Sequence, residues 1–206
     1  MKISEIINEQ PYENDGSMSF TTDASLADDF GMLTKRTLDR QYTFLFSAGT
    51  TDGKKVPIYK LKNQPNLIIR GIIKIESGGD AGKYQVVLTF KGVQAERLKI
   101  PGIKGNPIQE KRIFILKDYR GNGITAQIYQ WIIKNGYYLI SDREHFSDSK
   151  HLWKKIARAT QAKYNIFVYD VDKGLLGTYN ETNDDEIWTR DEDNDGYYIV
   201  LVLSKR

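Results

Sequence analysis

An α+β domain with a mixed, mainly antiparallel sheet, a central βαβ crossover and flanking helices is what this 206-residue sequence predicts. Three observations predict it. β-rich runs alternate with short turn clusters between residues 41 and 90. An apolar run, a helical pattern and a second apolar run follow one another between Arg112 and Asp142. Beyond residue 163 the β-rich runs return, separated by an acidic segment.

Residues 1–40 are polar and weakly patterned, with only Ile3, Ile6 and Ile7 spaced for a turn or two of amphipathic helix. They read as a partly ordered N-terminal arm ahead of a domain at 41–206. From Gln41 the runs "YTFLFSA", "VPIYKL", "NLIIRGIIKIE" and "YQVVLTF" are strand-like, and clusters such as "TTDGKK" and "ESGGDAGK" are turns. Turns this short imply an antiparallel meander. "RIFIL" then leads into a glycine bend, after which Ile124, Ile128, Trp131 and Ile132 recur on one helical face and Asn135-Gly136 supplies a stop. "YYLISD" follows as a buried strand, so the two strands should be parallel neighbours joined by a right-handed crossover. Ser147 or Asp148 can cap a second helix with Leu152, Trp153 and Ile156 inward and Lys150, Lys154, Lys155 and Arg158 outward. "YNIFVYD" and "GYYIVLVLS" close the chain as a long hairpin across the acidic segment.

Composition narrows the chemistry. With no cysteine, disulfides, thiolate nucleophiles and Cys-ligated zinc are excluded, and two histidines, His145 and His151, leave little for a His-based metal site. No run approaches the roughly 18 apolar residues of a membrane span, and "MKISEIINEQ" lacks a signal peptide's apolar centre, so a soluble, cytoplasmic protein is expected. The net charge of +3 hides an asymmetry: residues 181–195 hold eight carboxylates and one arginine, leaving the rest near +10. That acidic hairpin suits a basic protein partner. Its "DEDNDG" matches the opening of a calcium loop, but Val202 stands where the twelfth-position glutamate belongs, so a solvated Asp-Gly turn is expected and no metal.

The bend Arg120-Gly121-Asn122-Gly123 is the sharpest signal. At a helix start unpaired N–H groups and the dipole's positive end converge, and glycines let a phosphate approach the main chain. The plainer reading is that the two glycines only permit a sharp turn. A nucleotide P-loop would need Lys-Ser or Lys-Thr where Ile124-Thr125 stands, and a Rossmann turn needs a third glycine inside a mainly parallel sheet.

"IFILKDYRGNGIT" resembles the acetyl-coenzyme A motif of the GNAT N-acetyltransferases, in which an apolar strand runs into Arg/Gln-x-x-Gly-x-Gly/Ala at a helix start. Arg120, Gly121, Asn122, Gly123, Ile124 and Thr125 occupy the six positions, and Ile115 stands at the Val-like strand position. Thr125 departs from the pattern, adding bulk where glycine or alanine is usual. The likeness runs from about Arg112 to Asp170. "YYLISD" is similar to the family's fifth strand, "SDSKHLWKKIAR" to its next helix, and "GYYLISDREHFSDSKHLWKKI" resembles phage-encoded members, which would place the protein in a host cytoplasm.

The resemblance implies a GNAT-like fold with acetyl-coenzyme A as co-substrate, its diphosphate on the backbone of Arg120 to Thr125 and its pantetheine arm between splayed crossover strands. A backbone amide from Ile115, Leu116 or Lys117 would polarise the thioester carbonyl while an acceptor amine attacks directly. Trp153 stands where many members carry the tyrosine that protonates the leaving thiolate; an indole cannot do so, and Trp153 reads either as part of the coenzyme site or as core. Tyr138 and Tyr169 are substitutes, Tyr169 being the catalytic candidate. Asp142, ending the second crossover strand, is the candidate base, or else a carboxylate fixing the next turn. The expected function is acetyl transfer to a primary amine. The alternative is a catalytically silent binding protein of the same kind, engaging a host or virion partner; nucleic-acid binding by the basic helix is the weaker third reading.

Overall fold

The computed structural model describes residues 31–141, 147–160, 163–179 and 199–206. In chain order the elements are β1 (Met32–Leu33), α1 (Lys35–Gln41), β2 (Tyr42–Gly49), β3 (Lys55–Leu61), β4 (Leu67–Lys74), β5 (Tyr84–Gln94), β6 (Asn106–Ile115), α2 (Ile124–Lys134), β7 (Tyr137–Ile140), α3 (Ser147–Thr160), β8 (Tyr164–Asp170), β9 (Gly174–Thr178) and β10 (Ile199–Lys205). The strands hydrogen-bond in the order β2-β3-β4-β5-β6-β7-β10-β8-β9, with β1 on β5.

This corrects the predicted fold class. A GNAT-like α+β domain with flanking helices is not what the chain adopts: ten strands in one mixed sheet dominate, and three short helices accompany them among the described residues. The physical reason lies in what covers the apolar faces. Tyr138, Ile140, Val200 and Val202 are covered by the irregular segment after β5, through Ala95, Leu98, Ile100 and Ile103, where a helical layer was expected. The Tyr138 hydroxyl pins that segment, accepting from Ile100 N–H at 3.0 Å and donating to Leu98 O at 3.3 Å.

Contacts divide the chain into two compact units. In the unit built from residues 31–92 and Arg112–Ile124, β2, β3, β4 and β5 form the antiparallel meander that the turn clusters predict. The span read as the end of the N-terminal arm holds β1, paired with β5, and α1. Thr34 caps α1 by accepting from Thr37 N–H at 3.2 Å, and Leu38 is its buried residue, packing with Tyr42, Ile72 and Val86.

In the unit comprising Val93–Lys111 and the described parts of Thr125–Arg206, β6 and β7 pair in parallel, Asn106 to Gln109 against Tyr137 to Ile140. The crossover was predicted from "RIFIL"; its parallel partner residues instead lie upstream, in "NPIQ", where Pro107 and polar side chains hide strand character. β8 and β10 pair antiparallel over seven residues as expected, and β9, which the sequence reading did not find, adds to the far edge of β8. Helix α2 buries Ala126, Ile128, Tyr129, Ile132 and Ile133, while α3 buries Trp153, Ile156 and Ala157.

Candidate functional site

Strand β6 ends at Ile115, and a 3-10 turn over Lys117–Tyr119 carries the chain into the bend. Gly121 and Gly123 have φ of 75° and 69°, a left-handed conformation that costs other residues about 1–2 kcal/mol, so both glycines are required by the backbone itself. Arg120 folds back, its Nε donating to Ile115 O at 3.0 Å. Asn122 is spent on architecture. Its Oδ1 accepts from Thr51 N–H at 3.0 Å and Thr51 Oγ1 at 2.6 Å, and its Nδ2 donates to Arg120 O at 3.1 Å. The tip of the β2–β3 hairpin is thereby tied to the bend across 71 residues of sequence.

Of the six motif positions, Arg120, Gly121 and Asn122 are half-buried, while Gly123, Ile124 and Thr125 are buried. The reachable part of the bend is Lys117 to Asn122. Among the proposed amide donors, Leu116 N–H is committed to Val87 O at 2.9 Å. Strand alternation then aims the Ile115 amide at the opposite edge of β6. Tyr119, within the 3-10 turn, was missed by sequence reading; burial pushes its hydroxyl pKa up, so it stays a proton donor at neutral pH.

The remaining predicted residues sit as follows. Trp153 is 2% exposed and its ring centroid lies 6.1 Å from that of Tyr129, a core position on α3. Tyr169 is half-buried on β8 and packs against the cluster of Tyr138, Ile140, Val200 and Val202. The Tyr138 hydroxyl is engaged by Leu98 and Ile100 as described, and burial raises its pKa. Asp142, His145 and the acidic hairpin 181–195 lie outside the described residues, as does the side chain of His151.

Two buried polar groups near the parallel pair carried no sequence signal. Glu110 on β6 accepts a hydrogen bond from the Tyr129 hydroxyl on α2. Its neighbour Gln109, on the opposite face, is buried, and its Nε2 meets no acceptor among the described residues. Where β7 ends, Ser141 takes over the ladder: its N–H donates to Leu201 O at 2.8 Å and its Oγ accepts from Leu201 N–H at 3.0 Å. Among the described residues no group of His, Asp and Glu side chains could hold a metal ion, and no helix is long and apolar enough to cross a membrane.

No protein-family model, no curated protein and no solved structure matches the chain.

Proposed function

We propose that the protein binds acetyl-coenzyme A at the Lys117 to Asn122 bend and transfers the acetyl group to a primary amine by direct attack. The observation that carries this reading is the bend's construction. The left-handed, half-buried Gly121 brings main chain without a side chain close to the start of α2, and Arg120, whose Nε donates to Ile115 O, sets a guanidinium beside it. The motif likeness of residues 112–125 supplies the identity of that anion as a coenzyme diphosphate. The Ile115 amide, aimed away from β5, is the donor for the thioester oxyanion, and Tyr119, in the 3-10 turn that follows β6, is the hydroxyl nearest in sequence to the bend for the departing thiolate.

The test is calorimetry with acetyl-coenzyme A on the wild type and on Arg120→Ala, followed by thiol release in the presence of primary amines. Binding that weakens about tenfold or more in Arg120→Ala is expected, since a charge-assisted contact to a diphosphate is removed. Absence of any heat at ~1 mM acetyl-coenzyme A ends the proposal.

A second reading, a binding protein without chemistry, is favoured by specific observations. Trp153 fills core where the leaving-group acid was sought, and Tyr138 is committed to the segment it pins. Acetyl-coenzyme A that binds but releases no thiol with any amine selects this second reading.

A further inference from the structure

The described chain begins beside the bend. Gly31 O accepts from Val86 N–H at 3.3 Å, and the carbonyl of the next residue along β5, Val87, accepts from Leu116 N–H at 2.9 Å. Met32 and Leu33 then pair with Gln85 and Tyr84, while β4 holds the other edge of β5. Gly31 and Leu116 therefore occupy neighbouring positions on one strand edge, within one compact unit. Connectivity fixes what is tethered there. Asp29 and Asp28 precede Gly31 by two and three residues, so their Cα atoms lie within about 7 and 11 Å of its own even at full extension. Across the junction Lys117 follows Leu116 and is exposed, and Arg120 folds back onto Ile115 O, its Nε donating at 3.0 Å. Two carboxylates and two cations are thus anchored to adjoining residues.

Charge favours their meeting. Residues 1–30 carry seven carboxylates and one lysine, whereas residues 31–92 and 112–124 carry fourteen Lys and Arg against five Asp and Glu. Four of those five carboxylates are already in ion pairs: Asp39 with Lys35, Asp52 with Lys54, Glu76 with Lys74 and Asp80 with Lys83. The fifth, Asp118, is exposed in the bend itself, one carboxylate beside two cations. A unit of this sign attracts the acidic arm, and the short tether keeps Asp28 and Asp29 at the bend at an effective concentration on the order of millimolar.

We propose that Asp28 and Asp29 pair with Lys117 and Arg120, so that the acidic N-terminal arm occupies the bend of its own chain and an anionic ligand must displace it. The pairing follows from connectivity and charge. The competition rests in addition on the bend being the coenzyme site. Exposed ion pairs are individually weak, so the arm lowers ligand affinity without closing the site.

Zero-length carbodiimide cross-linking of the full chain, read by mass spectrometry, tests the pairing with no ligand present. Lys117 is expected to join Asp28 or Asp29, with a yield that falls severalfold as salt rises to ~1 M and the Debye length shrinks to about 3 Å. No such link, a yield indifferent to salt, or a Lys117 link only to the acidic segment 181–195 overturns the proposal. Calorimetry with acetyl-coenzyme A at low salt tests the competition on the wild type, Asp28→Asn/Asp29→Asn and Glu5→Gln/Glu9→Gln, and thermal melting checks that each variant folds. Affinity should tighten about threefold or more in the first variant and stay within about twofold in the second, whose carboxylates sit more than twenty residues from Gly31. In an Arg120→Ala background the gain from Asp28→Asn/Asp29→Asn should shrink. Equal gains in the two variants, or no gain in a protein that does bind the coenzyme, overturn the proposal. If acetyl-coenzyme A binds none of these proteins, the coenzyme reading falls and the cross-link alone decides the pairing.

Discussion

Gln109 shows how a single side chain acquires meaning from its row. Through the strand registers it lies in line with Ile140 on β7, Val202 on β10 and Phe167 on β8, all on one sheet face. Its amide nitrogen shares that apolar row and meets no acceptor among the described residues, the situation of a donor that carries a desolvation cost. Gln109→Leu is expected to raise stability by about 1 kcal/mol in urea unfolding; a loss of similar size would mean that the amide has a partner after all. Asp52 makes the opposite case at the β2–β3 hairpin tip. Hydrogen bonds from Lys54 and then Thr50 hold its carboxyl down to about 2 from the ordinary 3.8. A depressed folded-state pKa contributes stability above the unfolded value, and that contribution fades as pH falls through the folded value. Acidifying from about pH 4 to about pH 2 should therefore loosen the tip, with the Thr51 amide exchanging sooner than those of the central strands. Asp52→Asn should flatten that response, and an unchanged Thr51 protection across the range would refute it. None of these roles is legible from residue type alone. Trp153 at a helix-face position reads in sequence as core or as part of a coenzyme site, and its burial beside Tyr129 is what the structure adds.

Among the elements, those with strong local signals were readable and those defined by partners were not. Helix α2 and strand β8 follow from periodicity, and α3 begins at Ser147, where Ser147 or Asp148 was read as the cap. β6 was half visible: "RIFIL" announces its end, whereas Pro107, Gln109 and Glu110 disguise the half that pairs with β7. β9 was lost because its "GLLGT" carries two glycines and lies beside the acidic segment, and α1 was lost inside a polar arm. The junction between β6 and β7 yields a sharp test. Gly105 sits at φ 118°, and a Cβ there would fall 2.7 Å from the backbone oxygen of Gly136. Backbone cannot yield as a side chain does. Gly105→Ala should therefore cost about 2 kcal/mol or more in thermal or urea unfolding. Gly78→Ala, at φ 89° with open space around it, should cost only the ~1–2 kcal/mol of left-handed strain. Equal losses in the two variants would show that the Gly105 contact relaxes.

For the molecule as a whole, ligand linkage is the most direct probe of the proposed chemistry. A ligand that binds only the folded state stabilises it by about 2.7 kcal/mol at a hundredfold excess over Kd. Acetyl-coenzyme A at that excess should raise Tm measurably in the wild type and much less at the same concentration in Arg120→Ala; an equal shift in both would place binding away from the bend. Sequence alone determined the absence of cysteine chemistry, the meander and the place of the glycine bend, because each depends on composition or on contacts between neighbours in the chain. Tertiary structure alone decided that a sheet of ten strands, and not a layer of helices, organises the fold, that Asn122 serves Thr51, and that Tyr138 pins the segment carrying Leu98 and Ile100. Those outcomes depend on which strand edges and faces meet across tens of residues, and hydrophobic periodicity holds no record of partners.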